Sequence, residues 1–212
     1  DRDPERTAHV RGVGGERAGE IARQLGYTEP PVDKVYGFDR DESYLQYIQE
    51  QDATPTRWDK VAAGEPAAVY FWHRQSPRYL VSYHPGNLTF NDPPLLISGA
   101  VDMTLDPRGR LRSFQAVPPQ VDEGVGAAPT PDWSLLFASA GLDITKFTPT
   151  ASKWLPLVTS DSRAAWEGVF PYASQFPLRI EAAAYRGRVV YFQIIAPWTK
   201  PNRMGADQAN RR

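Results

Sequence analysis

Residues 108–119 read RGRLRSFQAVPP and residues 186–197 read RGRVVYFQIIAP, and this pair of segments decides how the chain is read. Six positions are identical: Arg108/Arg186, Gly109/Gly187, Arg110/Arg188, Phe114/Phe192, Gln115/Gln193 and Pro119/Pro197. A strand-like stretch precedes each copy, SGAVDMTLD in the first and FPLRIEAAAY in the second. Each copy therefore reads as the turn and exit strand of a β-hairpin. Gly109 and Gly187 supply the positive φ that such turns require. Strand alternation predicts Leu111, Ser113, Gln115 and Val117 on one face, with Arg112, Phe114 and Ala116 on the other. The second copy is apolar on both faces, which suits a central strand.

Working outward, each hairpin has a helix upstream. Residues 16–26, ERAGEIARQLG, set Ala18, Ile21, Ala22 and Leu25 at helical spacing and stop at Gly26. Residues 131–141, PDWSLLFASAG, place Asp132 as N-cap, follow with Leu135, Leu136 and Ala140, and stop at Gly141. The helix stops are 115 residues apart and the hairpins 78, so the first unit carries 37 additional residues. These include a helix near Ser43–Glu50 and the proline-rich loop His84–Pro94. Strands are expected over 34–39, 67–73, 79–83, 97–106 and 110–117 in the first unit, and over 164–170, 178–185 and 188–197 in the second. The expected fold class is α+β: two tandem helix-plus-antiparallel-sheet units, the first with a long insertion. Unit one spans 16–119 and unit two 131–200. A tether occupies 1–15, a linker 120–130 inside the proline-rich run VPPQVDEGVGAAPTP, and a polar tail 201–212.

Composition narrows the chemistry. The 212 residues carry 24 Lys+Arg against 25 Asp+Glu, so no basic excess marks a nucleic-acid partner. Zero cysteine removes thiol nucleophiles, disulfides and every cysteine-based metal site. No apolar run reaches the roughly 18–20 residues that span a bilayer. Because the chain opens on Asp1, it is expected to be a piece of a longer protein. Gly12-Val13-Gly14-Gly15 lacks the Gly-Lys-Ser/Thr ending of a phosphate loop and reads as part of the tether.

Three histidines, His9, His73 and His84, match no ligand spacing, and neither a metal nor a cofactor is expected. His73 and His84 flank a hairpin in which they could meet as an acid–base pair. Asp39-Arg40-Asp41-Glu42 raises calcium, but lacks the alternation and glycine of a calcium loop; its plainer reading is a helix-capping turn. Asp102 and Glu181 hold related places in the two hairpins. As a carboxylate pair they could exchange protons, whereas alternate strand positions more often face water. Of six tryptophans, most are expected to fill the space between helix and sheet. The aromatic alternative is a ligand groove, and Tyr70, Trp72, His73, Arg74 and His84 are its candidate residues.

The segments YFWHRQSPRYLV (70–81), VDMTLDPRGRLRSFQAVPPQVD (101–122), PDWSLLFASAGLDITKFTP (131–149), AAWEGVFP (164–171) and LRIEAAAYRGRVVYFQIIAPW (178–198) together resemble the region C-terminal to the kinase domain in bacterial membrane-anchored serine/threonine protein kinases of the acidobacterial type. Each helix-plus-sheet unit is also similar to a PepSY-type module. The resemblance implies an extracytoplasmic domain of a membrane-tethered parent. No kinase glycine-rich loop, His-Arg-Asp loop or Asp-Phe-Gly stands in the chain, so no catalytic residue carries over. The expected function is thus a non-catalytic sensor or interaction module that regulates an attached kinase. Its ligand would be a small molecule, peptide or protein, and homodimerisation is a further expectation. The alternatives are a carboxylate/histidine hydrolase and a structural spacer or inhibitory domain.

Overall fold

The structure is a computed structural model that describes the backbone of residues 4–62, 64–86 and 88–204, with side chains from Gly14 onward except Lys60. The side chain of His9 and residues 205–212 of the expected tail lie outside the described residues. In chain order the elements are α1 (Pro4–Gln24), β1 (Asp33–Arg40), α2 (Glu42–Gln51), α3 (Arg57–Ala62), β2 (Val69–Ser76), β3 (Val101–Leu105), β4 (Leu111–Ala116), α4 (Ser134–Ser139), β5 (Thr148–Thr150), β6 (Ser162–Phe170), β7 (Ala173–Tyr185) and β8 (Arg188–Ile195). The strands form one eight-stranded sheet in the order β1-β2-β3-β4-β8-β7-β6-β5, and every neighbouring pair is antiparallel.

This sheet overturns the expectation of two tandem helix-plus-sheet, PepSY-like units. The two meanders, β1–β4 and β5–β8, do not fold around separate cores; they join edge to edge through β4 and β8. The reason lies in the repeat itself. Both exit strands bury side chains along their length, and an unpaired edge on either would leave backbone N–H and C=O groups without partners. The second helix is also too small to cover a sheet of its own, α4 being six residues long.

At the seam Phe114 lies opposite Phe192, Ser113 opposite Gln193, and Gln115 opposite Tyr191. A residue thus faces its own repeat counterpart, and a pseudo-two-fold axis normal to the sheet passes between Phe114 and Phe192. Both rings are fully buried. The axis sets α1 and α4 on the same face, where Ala18, Ile21, Leu25, Leu136 and Phe137 join the sheet in one core.

The helix stops behave as expected from their glycines. Gly26 and Gly141 adopt φ of 91° and 66°, and Tyr27 N–H and Leu142 N–H reach back to the carbonyls of Ala22 and Phe137. Each stop then packs on the other repeat. A side chain at Gly26 would meet Arg188, and one at Gly141 would come within 2.8 Å of Arg110. The α1 helix begins at Pro4, inside the stretch expected as a tether. Gly14 is part of that helix, and a Cβ there would stand 3.1 Å from the Phe71 ring, so this glycine permits close helix–sheet approach.

Two local expectations also change. Leu111 sits in the helix-side core beside Phe114 and Ala116, because a bulge opposite Thr104/Leu105 shifts the alternation. Residues 79–83 form no strand, and their backbone is held instead by carboxylates: Leu80 N–H donates to Asp33 and Tyr83 N–H to Asp92. The acidic turn follows its plainer reading. Asp41 caps α2 by accepting from Tyr44 N–H at 3.0 Å, and it pairs with Arg112. Three of the six tryptophans fill the helix–sheet core: Trp166 packs on Phe137 and Trp133, and Trp198 on Tyr44, Phe170 and Phe176, whereas Trp58 is exposed and Trp72 and Trp154 lie on the opposite face.

Candidate functional site

The sheet face opposite the helices is polar and partly open. Across the seam, register places Thr104, Ser113, Gln193 and Glu181 in one row and Arg74, Asp102, Gln115 and Tyr191 in the next. These rows alternate with the helix-side core, so their side chains share the opposite face. Of these, Asp102, Ser113, Gln115, Tyr191 and Gln193 form the floor of a cleft of about 1320 Å³. One wall comes from the β2–β3 connection, through Phe90, Pro94, Leu95 and Leu96; the other comes from the β5–β6 connection, through Lys153, Trp154, Leu155, Leu157 and Val158. The segment 200–204 closes one end.

Each wall is tied down by an acid–arginine pair from the floor, and the two acids hold equivalent positions in the repeat. Asp102 lies opposite Gln115 and Glu181 opposite Gln193. Asp102 accepts from Arg74 Nε at 3.0 Å, and Arg74 Nη1 donates to the Thr89 carbonyl at 3.0 Å, which fixes the first wall. Glu181 is fully buried. It accepts from the Ser152 hydroxyl at 2.7 Å, from Lys153 N–H at 2.9 Å and from Arg179 Nε at 2.6 Å, while Arg179 also donates to the Ala151 carbonyl. That fixes the second wall. Neither carboxylate faces water in the manner expected of alternate strand positions. Burial outweighs the attraction of Arg74 and pushes the Asp102 carboxyl up to about 6.

The floor between the anchors is a set of amides and hydroxyls. Tyr191 Oη donates to Gln193 Oε1 at 2.5 Å, and the Thr104 and Ser113 hydroxyls are 2.6 Å apart. Desolvation, with Glu181 nearby, raises the Tyr191 phenol above its ordinary range. Gln115 and the amide nitrogen of Gln193 have no hydrogen-bond partner among the described residues, and both residues line the cleft.

The five residues expected to line a ligand groove are not gathered into one site. Arg74 and Trp72 lie on the cleft side of β2. Arg74 is a wall anchor, while Trp72 is buried, 6.3 Å from Phe90, and covers Gly37 so closely that a Cβ there would fall 2.6 Å from the indole. His73 points to the helix side, 1% exposed, with Nε2 3.4 Å from Gln75 Oε1 and Nδ1 without a partner. Burial, reinforced by the Lys34 charge, holds its pKa down at about 4. Tyr70 stacks under Arg112 at 4.9 Å. His84 stands on an exposed loop, Nδ1 3.1 Å from Asp92, whose carboxylate is held far below its usual range by Tyr83 N–H and the Ser82 hydroxyl. The two histidines occupy separate environments, and neither lines the cleft. Among the described residues no group of three or more histidine, aspartate or glutamate side chains could hold a metal ion.

The cleft residues that sequence reasoning passed over are Gln115, Gln193, Tyr191, Lys153 and Trp154. The signal for the first two was present: they are the only polar uncharged identity in the repeat. No protein-family model matches this chain, no curated protein matches it, and no solved structure matches it.

Proposed function

We propose that this chain is a non-catalytic ligand-sensing module that regulates an attached serine/threonine kinase from outside the cytoplasm. The observation that carries the sensing part is the cleft, whose floor crosses the seam between the repeats and whose walls are each pinned by an acid–arginine pair. A ligand seated there touches both halves of the sheet at once. Its binding free energy is therefore available to shift the relative position of the two walls, provided it prefers one arrangement. The kinase connection and the extracytoplasmic setting rest on the sequence resemblance alone.

Thermal-shift and native mass-spectrometric screening of small metabolites and peptides, with ultracentrifugation to follow association, tests the sensing role. The expected result is a stoichiometric ligand whose stabilisation is lost in Gln115→Ala/Gln193→Ala. Absence of any ligand, together with absence of self-association at high concentration, would overturn it. A full-length gene product without a kinase domain would overturn the regulatory role.

A further inference from the structure

The cleft is chemically lopsided, and this points to the class of molecule it takes. Its walls are aliphatic and exposed: Leu96, Leu155 and Leu157 are 67%, 55% and 75% exposed, a concentration that soluble proteins usually bury. Its lining also carries Lys153, Lys200 and Arg203, the last two on the segment that closes one end. Lys153, Lys200 and Arg203 have no ion pair among the described residues, and Arg203 donates to the Leu155 carbonyl. The acids that line the cleft are already matched: Asp102 by Arg74 at 3.0 Å, and Asp122 by Arg186 at 3.8 Å. The amide nitrogen of Gln193, without a hydrogen-bond partner among the described residues, adds a donor to the same lining.

The surplus is therefore one of donors and positive charge, next to aliphatic surface. An extended peptide would need backbone partners along the walls. Pro93, Pro94, Pro118, Pro119, Pro156 and Pro201 remove N–H donors there.

We infer that the cleft binds an anionic amphiphile, an acyl chain ending in a carboxylate or a phosphate. This rests on the ligand-binding reading above. The chain lies between Leu96 and Leu157, and the head group is met by Lys153, Lys200 and Arg203 in charge-assisted hydrogen bonds.

The test is titration calorimetry of the purified chain with myristate and with dodecyl phosphate below their micelle concentrations. Dodecyltrimethylammonium, dodecyl maltoside and hexaglutamate are titrated in parallel. Saturable one-to-one binding is expected for at least one anionic amphiphile, and comparison of the two identifies the head group. The neutral and cationic chains should bind at least roughly tenfold more weakly. Lys153→Glu/Lys200→Glu should cost roughly tenfold in affinity for the anion, and Leu157→Asn should weaken every chain-bearing ligand. These are surface positions, so circular dichroism should show both variants folded.

Equal binding of all three head-group charges would overturn the inference in favour of unspecific apolar adsorption. Hexaglutamate binding that survives Leu157→Asn would overturn it in favour of an acidic peptide. No saturable binding of either anion, alongside another ligand lost in Gln115→Ala/Gln193→Ala, would overturn the amphiphile while leaving the sensing role intact.

Discussion

Replacing His73 by glutamine should flatten one limb of the acid stability profile. The imidazole is buried on the helix side of β2, close enough to Lys34 for that charge to disfavour its protonation, and its pKa falls from 6.5 to about 4. In the unfolded chain it takes a proton near pH 6.5; in the folded protein it resists until about pH 4. Between those values the unfolded state binds more protons, so the contribution of His73 to stability is full above pH 6.5 and is lost as the pH falls to 4. Each pKa unit corresponds to about 1.4 kcal/mol, which makes the total about 3 kcal/mol. The replacement costs some packing at pH 7, but that cost carries no pH dependence. Urea denaturation of both proteins from pH 4 to pH 7 gives the difference directly, because every other titrating group is common to the two and cancels. The advantage of the native protein should shrink by about 3 kcal/mol on acidification. A difference constant to within about 1 kcal/mol would refute the reasoning, for it would mean that His73 is protonated in the folded state without penalty.

Asp102 should show the opposite sign, because its folded pKa is raised: the folded carboxyl keeps its proton up to about 6 while the unfolded one releases it near 3.8, so its contribution falls as pH rises through that window. The stability of Asp102→Asn relative to the native protein should therefore improve from pH 4 to pH 6, read from the same urea titrations. Phe114→Ala and Phe192→Ala should each cost about 3–5 kcal/mol. The double variant should depart from additivity by 0.5 kcal/mol or more, since the two positions face each other across the seam in one core, as measured by chemical denaturation. Glu181→Ala removes the buried acceptor of Arg179 Nε, the Ser152 hydroxyl and Lys153 N–H, while Arg179 keeps its pair with Glu167, so about 3 kcal/mol should be lost and amide exchange should accelerate over 151–155. Limited proteolysis within 121–126, where Val121 and Val125 are 66% and 96% exposed, should nick the chain without separating its halves on gel filtration. Two dissociating fragments would contradict the continuous sheet.

The parts of this fold that could be read in advance are those encoded by neighbours in the chain. Gly109 and Gly187 mark the hairpin turns because only backbone of positive φ closes them, and both adopt it, at 76° and 78°. Gly26 and Gly141 end their helices for the same reason. The pairing of β4 with β8 has no local signature: Phe114 and Phe192 are 78 residues apart, and an apolar strand reads alike beside its own hairpin or beside its twin. The start of α1 is masked in the sequence because Gly14 and Gly15 suggest freedom, whereas Gly14 lets a helix lie against Phe71. The cleft was hidden for another reason. Its walls are loops without period, and its anchors, Asp102 and Glu181, look like water-facing strand residues until the walls fold over them. The aromatic cluster at 70–72 drew the expected site to β2, where sequence density of rings was greatest. Trp72 is consumed there in covering Gly37.

An interface that sets a residue against its own counterpart is what rotational symmetry generates between identical subunits. The Phe114–Phe192 seam has that form within a single polypeptide, and the exchanged helix ends, Gly26 on Arg188 and Gly141 on Arg110, interlock it as swapped arms do in a dimer. Covalent linkage removes the obligation that true subunits carry, which is to be the same. The first half has lengthened its wall through 77–100, and the second has kept a shorter one and gathered the cations. A symmetric pair would offer any guest the same chemistry twice. This chain draws the cations of its cleft from one half only, and so it can hold a molecule that has a head and a tail.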